Sequence, residues 1–196
     1  MPVLVKAWVV RSMLAGMAVM LACAVPGAQA TVVDQGSFSD SETGVPEDLC
    51  GVAVVRDGVF SGTFRIRAGK GADDQAFFQR LNLRATDVFI NPANGRTLTF
   101  ETKSLQNELK ARRVSGNVFE FTTIESGQPF VVRDSAGRVV HRDRGSIRRT
   151  ILFDTLGDGQ PGGIGLSETV VRVSGPHPGF DQSEAEFCAM VEDLIG

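Results

Sequence analysis

The fold is decided by the stretch Phe60-Ser61-Gly62-Thr63-Phe64-Arg65-Ile66-Arg67, in which apolar residues or glycine alternate with polar residues. Successive side chains of a β-strand point to opposite faces of the sheet. This alternation therefore predicts a strand with one buried face and one solvated face.

The same alternation recurs along the chain, in the segments Thr97–Glu101, Phe119–Thr122 and Ile147–Phe153. Between the strands lie segments rich in Gly, Asn and Asp, which favour tight reversals. These turn signals are Arg56–Gly58, Asn91–Gly95, Ser115–Asn117, Asp134–Gly137 and Asp158–Gly163. Together they predict an all-β fold of about eight or nine antiparallel strands in up-and-down order. A closed β-barrel is favoured because closure removes exposed strand edges, and a two-sheet β-sandwich is the alternative.

The first 30 residues have the features of a cleavable secretory signal peptide. Lys6 and Arg11 are positive, Met13–Val25 is apolar, and Ala28-Gln29-Ala30 forms a small-x-small cleavage site. The predicted location is therefore extracellular, with no membrane span left after cleavage. The alternatives are retention by an uncleaved signal and a lipid anchor on Cys23.

The residues after the predicted cleavage site fit one domain. Residues 31–48 are mostly small and polar and predict a flexible N-terminal segment. Residues 49–196 form the predicted barrel-like domain. It ends in a helix over residues 181–195, where Asp181 and Glu184 have the spacing of a capping box.

Two cysteines survive the predicted cleavage, one at each end of the domain. Cys50 and Cys188 have neither a Cys-x-x-Cys spacing nor neighbouring histidines, so the sequence does not favour a redox pair or a metal site. Exported proteins keep disulfides. The sequence therefore predicts a Cys50–Cys188 disulfide.

Composition restricts the classes of partner. Loss of Lys6 and Arg11 changes the formal net charge from −3 to −5, and an acidic chain has no overall attraction for nucleic acid or anionic lipid. The chain has 13 Phe, no Tyr, and a single Trp that lies in the leader. Phenylalanines at strand spacing predict a core, or the lining of a pocket for one small hydrophobic ligand. No cofactor motif is present, so no cofactor is predicted.

A basic cluster and one histidine are the weak candidates for a functional site. His177 lies in a Pro-rich loop, where it could act as a general base, and Arg142 and Arg149 could bind a phosphate or sulfate group. A structural histidine and a solvated strand face with ion pairs are the alternatives that we favour. The whole basic cluster comprises Arg138, His141, Arg142, Arg144, Arg148 and Arg149.

Asp154 and Asp158 are weak candidates for a metal site, because they are close together in a glycine-rich loop. Ca²⁺ takes six to eight oxygen ligands, and the next acidic residue, Glu168, is distant in sequence. An ordinary hairpin turn is the favoured interpretation, and no metal is predicted.

Several segments resemble a family of small exported actinobacterial proteins that have no assigned function. The segments are Gly127–Phe130, Asp134–Val140, Thr150–Gly159, Ser174–Asp181 and Phe187–Cys188. The resemblance covers roughly residues 50–188. It implies export, paired cysteines and a high-GC, Gram-positive source, and it implies no activity.

Two functions follow as hypotheses. The first is a secreted or cell-envelope-associated protein that binds a small apolar ligand or an envelope component without catalysis. The second is an enzyme that carries out acid-base chemistry at a barrel mouth, as cyclases and isomerases of barrel fold do, with His177 near a carboxylate or serine. The sequence leans against an enzyme, and it indicates no oligomeric state.

Overall fold

The computed structural model describes residues 31–69 and 76–196, so the predicted leader at residues 1–30 lies outside the described residues. Within these ranges the chain forms seven strands followed by two helices. The strands are β1 Val32–Leu49, β2 Val52–Ala68, β3 Phe77–Ile90, β4 Thr97–Ser115, β5 Val118–Arg133, β6 Val139–Asp154 and β7 Ile164–Ser174. The helices are α1 Pro178–Asp181 and α2 Glu184–Ile195.

All seven strands belong to one sheet, in which each strand pairs antiparallel with the next along the chain. The predicted all-β, up-and-down architecture with a C-terminal helix is confirmed. The structure has seven strands rather than eight or nine, because the strands are long and β4 alone has 19 residues.

One predicted turn, Arg56-Asp57-Gly58, lies inside β2, so that prediction was wrong. A Cβ atom on Gly58 would lie 2.6 Å from Arg56 Nη1 and 2.7 Å from Asp87 Oδ1. The glycine therefore makes room for the Arg56 side chain to reach Asp87 on the neighbouring strand, and does not reverse the chain.

The sheet has two edges, β1 and β7, and no pairing joins them in the described part of the chain. The sheet is therefore open, and the strand order does not decide between a barrel and a sandwich. Every residue of β7 except Ser174 is exposed, as expected for an edge strand with little packed against it.

Residues 31–48, predicted as a flexible segment, form most of β1 instead. The strand pairs with β2 from Val32 to Leu49 with two register shifts. Backbone hydrogen bonds to β2 hold this edge strand, and Phe38 packs against Phe60 of β2 with ring centroids 6.1 Å apart. Acidic side chains of β1 also help to hold it against β2, because Glu42 and Glu47 both form ion pairs with Arg56 on β2.

The larger hydrophobic core lies where α2 packs on one end of the sheet. Its buried residues are Val54, Phe89, Leu98, Val132, Val191 and Ile195. Phe100, Phe130 and Phe187 pack against it with ring centroids 5.4 to 6.4 Å apart. We call the side of the sheet that carries this core the core face.

A second, smaller core lies toward the other end of the sheet. Its buried residues are Ala76, Ala111, Phe119 and Phe121, and Phe78 and Phe153 pack against them. Phe119 is paired with Phe153, and Phe121 with Ile151, in the β5–β6 register. The predicted use of phenylalanine as core is observed in both clusters.

Helix α2 begins three residues later than the sequence predicts. Ser183, and not Asp181, is the N-cap residue, and it forms a capping box with Glu186. Asp181 instead ends α1, because the extended backbone at Gln182 (φ −75°, ψ 126°) separates the two helices. Neither helix is long and apolar enough to span a bilayer, and the described residues contain no other helix.

The predicted disulfide is present in the structure, with the Cα atoms of Cys50 and Cys188 5.2 Å apart. Cys50 and Gly51 form the two-residue turn between β1 and β2, and both have positive φ (57° and 83°). This conformation is typical of tight hairpins, and glycine adopts it without strain. The disulfide therefore attaches α2 to the β1–β2 turn beside the larger core.

Candidate ligand-binding site

The structure places the three weak candidate residues, Arg142, Arg149 and His177, in different surroundings. Arg142 is exposed, whereas His177 is 6% exposed. Arg142 and Arg149 lie an odd number of residues apart on β6, which is regular between them, so their side chains are on opposite faces of the sheet. They do not form one site.

Arg149 is used in an ion-pair network on the core face. Its Nη1 lies 2.8 Å from Glu125 Oε2, and its Nε lies 2.9 Å from Glu168 Oε1. Glu125 is 9% exposed, and a buried carboxylate is costly unless it is paired. The guanidinium group of Arg149 supplies the compensating charge at short range. This network supports a structural role for Arg149, bridging β5 to β7.

Both histidines of the chain lie beside one carboxylate, that of Asp143. His141 Nε2 is 3.3 Å from Asp143 Oδ1, and the Gly179 N–H donates a hydrogen bond to the same oxygen at 2.9 Å. Burial disfavours the charged carboxylate. The hydrogen bond from the Gly179 N–H and the neighbouring His141 and His177 side chains together outweigh burial and lower the pKa of Asp143.

This cluster fastens the C-terminal segment to β6. His141, Asp143 and His177 are each less than a tenth exposed, and His141 packs edge-on against Phe130 at 5.3 Å between ring centroids. A dissolved substrate has little access to such groups. His177 was predicted as a candidate without its partners, although His141-x-Asp143 has the spacing that places two side chains on one strand face.

Asp154 and Asp158 belong to turns. Asp154 Oδ1 accepts a hydrogen bond from the Leu156 N–H at 2.8 Å, and Asp158 Oδ1 accepts one from the Gln160 N–H at 2.9 Å. Each carboxylate thus binds the backbone two residues on, as in an Asx turn. Residues 31–69 and 76–196 contain no group of three or more acidic, histidine or cysteine side chains that could hold a metal ion.

The face opposite the core carries a basic band that the sequence did not predict as a unit. It consists of three adjacent register rows, in which paired residues of neighbouring strands share a face. The first row is Gln35, Arg65, Arg80, Asn107, Ile124, Arg148 and Arg172; the second is Ser37, Thr63, Asn82, Leu105, Ser126, Ser146 and Ser174; the third is Ser39, Ser61, Arg84, Lys103 and Gln128. No acidic residue occurs in any of these rows.

The cations of the basic band are all exposed, and none forms an ion pair with another described residue. They are Arg65, Arg80, Arg84, Lys103, Arg148 and Arg172. Arg65 is directly opposite Arg80, and Arg84 is directly opposite Lys103. Like charges in directly opposite positions destabilise a sheet, so these pairs have no evident role in stability.

An open groove of about 730 Å³ lies on the basic band at β1 to β4. It is lined by Gln35, Gly36, Ser37, Thr63, Phe64, Arg65, Arg80, Asn82 and Leu105. The side chain of Arg65 is oriented by Gln35, whose Oε1 accepts a hydrogen bond from Arg65 Nε at 3.3 Å. Two guanidinium groups, two hydroxyl groups and two amide groups therefore surround one concave surface.

Hydroxyl, amide and guanidinium donors are the groups that bind phosphate, sulfate or carboxylate. Comparison of the chain with family models, with curated proteins and with solved structures finds no match. The class of protein is therefore defined by its fold and this site alone: an open, single-sheet β-protein with a cationic groove on its solvent face.

Proposed function

We propose that this chain is an exported, non-enzymatic binding protein, and that its groove takes an anionic group of a cell-envelope component. The observation that carries the proposal is the pair Arg65 and Arg80, which face each other in the groove with no acidic residue in the surrounding rows. An anion between the two guanidinium groups would relieve their mutual repulsion and accept hydrogen bonds from both.

The chemistry of the lining favours an anion over a small apolar ligand. Phe64 and Leu105 are the only large apolar residues in the part of the lining that the structure describes, and every other side chain there except that of Gly36 is polar or charged. Apolar ligand sites are mostly apolar and enclosed. The proposal therefore keeps the predicted binding role and the envelope component, and changes the expected ligand from apolar to anionic.

The groove also favours binding over acid-base catalysis. A general acid or base needs a titratable group within hydrogen-bonding reach of the substrate. Among the described residues that line the groove there is no Asp, Glu, His, Cys or Lys, and arginine stays protonated. The buried His141–Asp143–His177 cluster lies on the core face, away from this surface.

Isothermal titration calorimetry with inorganic tripolyphosphate tests the proposal on the chain purified after export. Residues 31–196 contain no Trp or Tyr, so heat is a better readout than intrinsic fluorescence. We expect binding that weakens as salt is raised from low ionic strength to 0.15 M, where charges are screened over about 8 Å. Arg65→Gln and Arg80→Gln should each reduce affinity at least about tenfold, since hydrogen bonds to charged groups contribute about 1.5–3 kcal/mol.

The matched control is Arg96→Gln, which removes the same charge at an exposed position in the β3–β4 turn, outside the basic band. It should change the affinity less than twofold. The thermal unfolding temperature of the two groove variants should be equal to or higher than that of the parent, because each substitution removes a like-charge contact. Tripolyphosphate that does not bind, or that binds all variants equally, would refute the proposed function.

A further inference from the structure

Resting on the proposed function, we propose that the ligand is a linear polyanion, which enters the groove at β2–β4 and continues over β5 to a second cationic site on β6 and β7. The second site is Arg148 and Arg172, which are directly opposite each other in the same register row as Arg65 and Arg80. The basic band thus contains three like-charge cross-strand pairs. Arg65–Arg80 and Arg84–Lys103 lie at or beside the groove, and Arg148–Arg172 lies away from it.

The second pair is built like the first. Arg148 and Arg172 are both exposed, and Arg172 Nε donates a hydrogen bond to Ser174 Oγ at 3.1 Å, which orients its guanidinium group as Gln35 orients that of Arg65. Neither arginine forms an ion pair with a described residue. Two separate pairs with the same construction favour one ligand that reaches both.

The distance between the pairs requires an extended ligand. Arg65 on β2 and Arg172 on β7 are separated by five interstrand steps of about 4.8 Å, or about 24 Å along the surface. Between them the first two rows contain Asn107, Ser126 and Ser146, which are hydrogen-bonding groups without negative charge. A chain with repeated anionic groups can contact both arginine pairs, whereas a single small anion cannot.

The charge of the opposite face directs such a ligand to the basic band. The described strand residues of the core face include nine carboxylates, and the cations among them are Arg56, Arg113 and Arg149. The carboxylates are Asp34, Asp40, Glu42, Glu47, Asp87, Glu108, Glu125, Asp143 and Glu168. The formal net charge of −3 for the whole chain therefore conceals two faces of opposite sign. A polyanion is attracted to one face and repelled by the other.

The twist of the sheet favours a flexible chain over a lipid surface. Neighbouring strands rotate by about 20° per step, so the two arginine pairs, which are four steps apart, are turned by about 80° relative to one another. A flat bilayer cannot contact both pairs at once, whereas a flexible polymer can follow the curved surface. Single-stranded nucleic acid is less favoured, because proteins that bind it stack the bases on aromatic side chains and the three rows contain none.

The test is calorimetry with linear inorganic polyphosphates of increasing length, from tripolyphosphate upward, on the exported chain. The affinity should rise with polymer length until one polymer spans both arginine pairs. Beyond that length, the affinity calculated for each binding site on the polymer should stay constant. The double variant Arg148→Gln/Arg172→Gln should lose at least tenfold in affinity for the long polymer and less than twofold for tripolyphosphate. For the double variant, the slope of log affinity against log salt concentration should be shallower by about 1.4. This value assumes two lost phosphate contacts at about 0.7 each, the value for single-stranded nucleic acid.

The matched control is Arg96→Gln/Arg112→Gln, which removes two exposed charges outside the three rows. It should keep the affinity for the long polymer within about twofold. If tripolyphosphate binds in the groove but affinity does not rise with length, the proposed function stands and the polymer inference is overturned. If tripolyphosphate fails to bind at all, the proposed function itself fails.

Two further probes distinguish other polyanionic partners. Phosphatidylcholine vesicles containing phosphatidylglycerol should bind more weakly than long polyphosphate at equal phosphate concentration, and stronger binding would overturn the polymer inference in favour of a membrane surface. An oligothymidylate of matched phosphate number should not bind more tightly than polyphosphate, because stacking is not expected to contribute. Tighter binding to the oligonucleotide would overturn the inference in favour of nucleic acid.

Discussion

Arg56 and Arg65 lie on the same strand and illustrate opposite uses of one residue type. Arg56 faces the core side, where Glu42, Glu47 and Asp87 surround its guanidinium group. Arg65 faces the basic band, where its directly opposite neighbour on β3 is Arg80. The first arrangement satisfies the charge within the protein, and the second leaves it available to a ligand.

Glu108 is a second residue whose surroundings alter its chemistry. Burial raises the pKa of Glu108 to about 7, and the hydrogen bond that the Gln79 N–H donates to Oε2 at 2.5 Å offsets burial only in part. The residue follows the two-residue alternation of β4 on the core face, in register with Thr123. A carboxyl group held in this way favours its neutral form in the folded state.

We predict that Glu108 makes stability depend on pH between about 4.5 and 7. Its folded pKa is above its unfolded value, so its contribution is fully present below pH 4.5 and is lost as pH rises through about 7. Glu108→Gln should match the parent at pH 4 and exceed it above pH 7 by up to about 3 kcal/mol, at 1.36 kcal/mol per pKa unit. Urea denaturation followed by far-ultraviolet circular dichroism measures the difference.

The control for this prediction is Glu192→Gln, at an exposed position of α2. The difference between this variant and the parent should not grow across the same pH range. A Glu108→Gln profile parallel to that of the parent would contradict the assignment of a raised pKa to this carboxyl group.

Among the elements, the C-terminal helix was predicted from the sequence, but its first residue was predicted three positions too early. Asp181 and Glu184 have capping-box spacing, but so do Ser183 and Glu186, two residues later. The pair that forms the box is decided by the backbone, because Gln182 is extended and interrupts the helix after Asp181. A spacing rule alone cannot choose between two overlapping boxes.

The two candidate caps make a paired prediction about helix stability. Ser183→Ala should lower the free energy of unfolding by about 1 kcal/mol, because the Glu186 N–H loses the hydroxyl that accepts its hydrogen bond at 3.2 Å. Asp181→Ala should have less than half that effect, since Asp181 is exposed and lies outside α2. Denaturation of both variants by urea compares them, and equal losses would contradict the assigned cap.

The full lengths of the strands were also predicted only in part from the sequence. The alternation from Phe60 to Arg67 lies in β2, but β2 itself continues back to Val52 through a glycine that resembles a turn signal. The same applies to β1, whose small and acidic residues suggest flexibility. In both cases pairing with the neighbouring strand overrides the local preference.

At the scale of the whole molecule, the Cys50–Cys188 disulfide joins the first turn of the sheet to the last helix. It closes a loop with a sequence separation of 138 residues around the larger core. Constraining so long a loop in the unfolded chain stabilises the folded state by up to about 5 kcal/mol.

The double variant Cys50→Ser/Cys188→Ser should therefore unfold at lower urea concentration, with a loss of about 2–5 kcal/mol and exposure of the apolar face of α2. The parent treated with a reductant provides the matched comparison, because both forms lack the disulfide and differ only in the sulfur atoms. A parent whose unfolding midpoint is unchanged by reduction would contradict a stabilising role for the bond.

Local sequence patterns predicted strand segments within β2, β4, β5 and β6, a helix at the end of the chain, and the pairing of Cys50 with Cys188. These features follow from local alternation, capping residues and the number of cysteines, all of which can be read along the chain. Only the tertiary structure decided which side chains meet. Whether Arg65 faces Arg80 or a carboxylate depends on register, and register is set by turns and bulges between strands.

The two histidines beside Asp143, the open edges at β1 and β7, and the separation of charge between two faces follow from the same cause. Each is a relation between strands that are distant in sequence, whereas a net charge or a periodic pattern sums over residues without regard to which neighbours they acquire.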